Sequence, residues 1–114
     1  MGDCLFCKIV KREIKTEIIY ENKNIVAFRD INPQAPVHIL LIPKIHFSTL
    51  NDLTSSDKKL VGSLVYTAAK LAKMEGIADQ GYRTGFNCNN WGGQTVYHIH
   101  LHLLGGRKFG WPPG

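Results

Sequence analysis

The stretch "YHIHLHLLGG" (residues 97–106) places His98, His100 and His102 at alternate positions with Ile99, Leu101 and Leu103 between them. Successive side chains of a strand point to opposite faces. The spacing therefore predicts three imidazoles along one side, about 6.6 to 6.8 Å apart, and three aliphatic side chains along the other. The aliphatic side belongs to a core. The imidazole side is an idle polar face, a metal site or a row of reacting groups. Three of the chain's five histidines sit in this row, which argues against an idle face.

The flanking sequence extends the same pattern. "GYRTGFNCN" (81–89) and "VYHIHLHLL" (96–104) alternate with period two, and the glycine-rich "NWGGQ" between them reads as a turn, with Cys88 a strand residue. "TEIIYEN" and "NIVAFRD", separated by the polar "ENKN", read as a hairpin. "NPQAP" interrupts with two prolines, and "VHILLIPK" resumes as a strand ended by Pro43. Leu60, Val61, Leu64, Val65, Ala68, Leu71 and Ala72 repeat at three and four, which predicts the main packing helix. Thr54 to Ser56 are its candidate N-caps, Asp57 lies in its first turn and Gly76 is its stop. Phe6, Ile9 and Val10 space a shorter amphipathic helix that ends before Thr16. Five strands that are mostly neighbours in sequence, with two helices, indicate an antiparallel sheet in one α+β domain spanning residues 1–114.

Composition narrows the function. The chain has 114 residues, 44% of them hydrophobic, ordinary for a globular protein with one core. No apolar run reaches the roughly 18 residues of a membrane span. The start breaks into charge too soon for a signal peptide, and Phe6 stands where a Met-Gly lipidation signal wants Ser or Thr, so a cytoplasmic location is expected. The net charge of +5 is scattered rather than clustered, and no specific nucleic-acid partner is expected. Three cysteines make an unlikely disulfide set. Cys4-x-x-Cys7 reads as half of a metal site, as plain thiols or as a redox pair, the last lacking its βαβ context.

The chemistry that suits a row of imidazoles is transfer at phosphorus. Neutral imidazole, with a reference pKa of about 6.5, attacks to form a covalent phospho-histidine, and a neighbouring imidazole holds or protonates the leaving group. Gly92, Gly93, Gln94 and Thr95, just before the row, offer N–H groups and polar side chains for phosphate oxygens.

"HIHLHLL" resembles the motif for which the histidine triad (HIT) superfamily is named. "DINPQAPVHILLIPKIH", "GGQTVYHIHLHLLGGR" and the terminal "WPPG" are similar to its Hint branch, the purine nucleoside phosphoramidases. The resemblance implies a homodimer whose two five-stranded sheets join into a ten-stranded one, with an AMP or GMP moiety bound in each protomer. It implies His100 as nucleophile, His102 on the phosphate and leaving group, and His38 and the backbone at His98 orienting His100. Asp30 would accept the ribose hydroxyls, and Asn87, Gly93, Gln94 and Thr95 would hold the phosphate. Phe6, Ile9, Phe28 and Ile31 would wall the base, although the same four equally suit core packing. Trp111 would touch the leaving group across the dimer. No metal is expected at the reacting phosphorus. Readings left beside this one are a dinucleoside polyphosphate hydrolase from another HIT branch and a non-catalytic nucleotide-binding scaffold.

Three features depart from the familiar animal pattern: Thr95 where serine is usual, "CNNW" before Gly92, and the cysteine pair. Cys4 and Cys7 need two further ligands for a tetrahedral zinc. His46 and His98 are the candidates, a set that many microbial HIT proteins carry, and such a closed site would be structural, clipping the N-terminal helix to the sheet.

Overall fold

The structure, a computed structural model, describes residues 4–114. The Met1-Gly2 start weighed for lipidation lies outside them. Helix α1 (Leu5–Val10) leads to strands β1 (Ile18–Glu21), β2 (Ile25–Arg29) and β3 (Val37–Pro43). Helix α2 (Lys58–Met74), strand β4 (Tyr82–Gly85), a one-turn helix α3 (Asn89–Gly92) and strand β5 (Leu101–Gly105) follow. The five strands form one antiparallel sheet in the order β1-β2-β3-β5-β4.

Local chemistry makes these elements. The predicted hairpin turns on Asn22, whose side-chain oxygen accepts from the N–H groups of Asn24 (2.8 Å) and Ile25 (2.9 Å). Central strand β3 is aliphatic on both faces because both are covered. Ile39 and Leu41 join Leu101, Leu103 and the α2 residues Leu64, Ala68, Leu71 and Ala72 in one core. Leu40 and Ile42 meet Phe6 and Ile9 of α1, with Val26 and Phe28, in the other. Val65, counted in the α2 stripe, instead faces solvent at 47% exposure. Thr54 and Asp57 form a capping box, but it closes a 3-10 turn, Ser55–Asp57, that feeds α2 rather than capping α2 itself. At the other end Ile77 N–H returns to Ala72 O and Gly76 takes φ +76°, a left-handed stop that glycine allows.

Two strand expectations are corrected. β5 begins at Leu101, so His98 and His100 precede it. The ladder to β3 runs from Gly105 to Leu101, opposite Leu41, and the next N–H on the approach, that of Ile99, goes to Phe47 O at 2.8 Å. Pro43, at the end of β3, has no N–H to extend the pairing. Alternation survives without the ladder: Ile99, Leu101 and Leu103 are buried, and the rings of His98 and His100 both meet Phe6. β4 likewise stops at Gly85, leaving Cys88 as the residue before α3. The glycine-rich turn is thus helical, closed by Gly93 at φ +84°.

Gly105 of β5 packs directly against Ile77. A Cβ there would run into Ile77 Cδ1 and lie 3.1 Å from Ile77 Cβ. Gly105→Val is expected to lower stability by about 1–3 kcal/mol through overpacking. Combined with Ile77→Ala, it should cost less than the sum of the two single changes in denaturant melts. Simple additivity would contradict this contact.

Candidate active site

Hydrogen bonds to groups that can only accept, or only donate, assign the imidazole tautomers. Pro43 at the end of β3 aims its carbonyl at His98 Nε2, 2.8 Å away, so that nitrogen carries the proton and Nδ1 the lone pair. The His98 carbonyl in turn accepts from His100 Nδ1 at 2.8 Å. His100 Nε2 is therefore a lone pair. On β3, His38 Nδ1 accepts from the Gln34 N–H at 3.0 Å, which places the His38 proton on Nε2, 3.0 Å from His102 Nδ1. His102 must then carry its proton on Nε2. The rings of His100 and His102 lie 4.9 Å apart, so the site pairs one free lone pair with one free N–H.

The imidazoles are held neutral. Burial pushes His102 down to about 4, with His100 and His38 adding to the effect and Asp30 opposing it. Burial also lowers His38 and His100, against the pull of Asp30 on both and of the His98 carbonyl on His100. Asp30 follows β2; one carboxylate oxygen accepts from Asn32 N–H at 2.9 Å and the other lies 3.5 Å from His38 Nε2. Asp30, His38 and His102 bring three ligand atoms close together, but the Gln34 N–H puts a proton between the two imidazoles, where a cation would have to sit.

These groups open onto a cleft of about 640 Å³. Phe6, Ile9 and Phe28 line it as buried side chains that are core and wall at once, while Ile31 stands 94% exposed at its rim. Asp30, Gly93 and Thr95 line it with His38, His100 and His102. Three of the expected residues lie elsewhere. Gln94 is buried, accepting from Asn89 N–H and donating to Ser48 O and Val96 O. Asn87 lies in an adjoining hollow and donates to Gly92 O at 2.5 Å. Trp111 is 82% exposed and lines neither space. Two contributors escaped sequence reasoning, Pro43 O and Gln34 N–H. Both are backbone groups without side-chain signature, although the flanking prolines mark where the chain is fixed.

At the other end of the row, Cys4, Cys7, His46 and His98 gather four ligand atoms within 4.8 Å of one another. His98 Nδ1 lies 3.3 Å from Cys4 Sγ, 3.5 Å from Cys7 Sγ and 3.2 Å from His46 Nδ1; Cys7 Sγ is 3.3 Å from His46 Nδ1. Bonds of about 2.0–2.1 Å to nitrogen and 2.3 Å to sulfur make tetrahedron edges of about 3.3–3.8 Å, so the set fits a small tetrahedral metal. The Pro43 carbonyl supplies the outer hydrogen bond that such a histidine needs. Burial, then the neighbouring Cys4, pushes the Cys7 thiol up to about 11, so a metal entering here must displace a proton.

Comparison with known proteins agrees with this geometry. Residues 3–109 match the family described as scavenger mRNA decapping enzyme C-term binding. The chain is 51% identical over 108 residues to the purine nucleoside phosphoramidase of Escherichia coli K12, covering 95% of this chain and 91% of that one. It is 50% identical over 113 residues to a 14 kDa zinc-binding protein of Zea mays, covering 96% and 87%. A crystal structure of a HIT family hydrolase from Legionella pneumophila superposes with a TM-score of 0.96 at 56% identity, covering 98% and 100%. This chain belongs to the histidine triad family and is a hydrolase.

A histidine held at about 4 in the fold and near 6.5 when unfolded binds more protons unfolded. Stability is then complete above pH 6.5 and declines as pH falls toward 4. His102→Gln is expected to flatten that decline by an amount on the order of 2 kcal/mol, read by urea melts at pH 7, 5.5 and 4.5. Parallel curves for the two proteins would contradict the neutral assignment.

Proposed function

We propose that this histidine triad hydrolase cleaves the P–N bond of purine nucleoside 5′-phosphoramidates through a nucleotidyl-histidine on His100. The carrying observation is the Nδ1–H of His100 donating to the His98 carbonyl at 2.8 Å, which leaves a neutral Nε2 lone pair facing the cleft. The name of the Escherichia coli relative supports the bond and the purine.

In the first step Nε2 attacks phosphorus and the bond to the amine breaks. The charge of a bound phosphoryl group favours protonation of His102, so the His38–His102 pair takes up a proton with the substrate and passes it to the departing amine. In the second step water attacks phosphorus, its proton returns to His102, and His100 leaves with its own Nδ1–H intact. Asp30 accepts the ribose hydroxyls. Thr95 and the Gly93 N–H meet phosphate oxygens, and Phe6, Ile9, Phe28 and Ile31 wall the base. Gln94 and Asn87 act through the loop: their hydrogen bonds to Asn89, Ser48, Val96 and Gly92 fix the turn that presents Gly93 and Thr95.

Cys4, Cys7, His46 and His98 hold zinc in a structural role, a reading the zinc-binding relative supports. The zinc closes all four positions with protein and ties α1 to the sheet. The protein works as a homodimer joined along β4, one of the two edge strands of the sheet, with Trp111 reaching the partner's leaving-group side. Three cysteines outside any disulfide suit the cytoplasm.

Two measurements test this. With a fluorogenic adenosine 5′-phosphoramidate, His100→Ala, shown folded by circular dichroism, should lose at least about 10³-fold in kcat, as removal of a covalent nucleophile does; a loss under tenfold would remove His100 from the chemistry. Cys4→Ser should lose its zinc by elemental analysis and melt at lower temperature, with kcat at 20 °C falling far less than in His100→Ala. Full metal content and an unchanged melt would sink the zinc assignment.

A further inference from the structure

Across His38 and His102 from the nucleoside cleft lies a second hollow of about 470 Å³. The two spaces share Gln34, His38 and His102 as a common wall, so a group bonded to phosphorus at His100 and pointing past His102 extends into it. Arg83 projects from the His102 face: in the β4–β5 pairing Arg83 lies opposite Leu104 and Gly85 opposite His102, and paired residues share a face. The lining contains Arg83 and Arg107 and no carboxylate.

The two guanidiniums are built into place. Phe109 lies under both, with its ring centroid 4.3 Å from the Arg107 guanidinium carbon and 5.1 Å from that of Arg83. Arg83 Nη2 donates to Gly110 O at 2.6 Å, Arg107 Nε and Nη2 donate to Gln34 O at 3.2 and 3.1 Å, and Arg107 Nη1 donates to Lys108 O at 3.2 Å. All these acceptors are uncharged. The other two arginines, Arg12 and Arg29, pair with Glu21, Glu17 and Glu75, whereas Arg83 and Arg107 have no carboxylate partner among the described residues. Two like charges fixed on one ring repel, and each keeps N–H donors free in the planar fork that suits carboxylate or phosphate.

We propose that this hollow is the leaving-group subsite and that it selects substrates whose displaced amine carries an anionic group, a carboxylate or a phosphate. The inference rests on the phosphoramidase reading and names its substrate class. Arg83 and Arg107 meet the anion while Asn87 and Thr84, also in the lining, offer polar groups beside it. Bond breaking at phosphorus is unchanged; the anion stays on the amine that departs.

The test compares kcat/KM for adenosine 5′-phosphoramidates of glycine and glycinamide, and of O-phosphoethanolamine and ethanolamine. In the intact protein each anionic amine is expected to exceed its neutral partner by between about 2- and 30-fold, the range that two exposed charge pairs supply, with the ratio shrinking as salt rises. The pair with the larger ratio identifies carboxylate or phosphate as the preferred anion. Arg83→Gln with Arg107→Gln should bring the ratio to about one, and Arg83→Lys with Arg107→Lys should keep most of it. Because each ratio is internal to one protein, a general loss of folding does not imitate the result. Ratios near one in the intact protein, or ratios that survive the double glutamine variant, would overturn the subsite while leaving the phosphoramidase standing. Turnover of none of the four substrates would overturn both.

Discussion

Two backbone carbonyls, those of Pro43 and His98, decide where the protons sit on two adjacent imidazoles, and both hydrogen bonds are 2.8 Å long. A carbonyl can only accept, so each imposes one tautomer on a ring that in water exchanges freely between two. The consequence runs in opposite directions along the row. His98 is protonated on Nε2 and turns a bare Nδ1 toward the cysteines, while His100 is protonated on Nδ1 and turns a bare Nε2 toward the cleft. One row of identical side chains thereby offers a lone pair to the cysteine cluster at one end and a lone pair to the cleft in the middle, the two roles proposed above. The histidines supply the chemistry; main-chain geometry assigns it.

The same helix serves the four-ligand cluster and the cleft. Helix α1 carries Cys4 at its N-cap, Cys7 in its first turns, and Phe6 and Ile9 on its buried side. Phe6 packs edge-on to His100 at 5.0 Å and to Phe28 at 5.3 Å. Six residues of helix cannot be stable in isolation. The apolar wall of the cleft therefore depends on contacts that hold α1 down, and the four-ligand cluster is placed to provide them. Phe6 packs on His100, so part of the burial that keeps His100 below its ordinary value comes from the same helix that walls the cleft.

Much of this was legible in the sequence because it depends on periodicity and residue type. The alternation at 98–103, the three-and-four stripe of α2, the Asn22 hairpin and the C-x-x-C pair each carry their own signal, and the antiparallel sheet follows from strands that neighbour one another. The extent of β5 was not legible. Period-two alternation continues through His98 and His100, but pairing stops where Pro43 ends the partner strand, a fact about the other side of the ladder. Val65 fell on the solvent side because a repeat of three and four admits a stripe wider than the contact the sheet offers. The position of Gln94 beside glycines points to phosphate, but its side chain is buried with three internal hydrogen bonds, one of them to Ser48, 46 residues away in the chain. Tautomers are invisible to sequence altogether, since Pro43 O and Gln34 N–H are groups that almost any residue would bring.

The proton position on His100 decides whether Nε2 can attack, and nitrogen chemical shifts report it directly. Long-range proton–nitrogen correlation spectra of the uniformly ¹⁵N-labelled, ligand-free protein at pH 7, with His100 assigned by comparison with His100→Gln, show which ring nitrogen carries hydrogen. The expected result is a neutral His100 protonated on Nδ1 with Nε2 as the bare nitrogen. A neutral ring protonated on Nε2, or an imidazolium at pH 7, would contradict it.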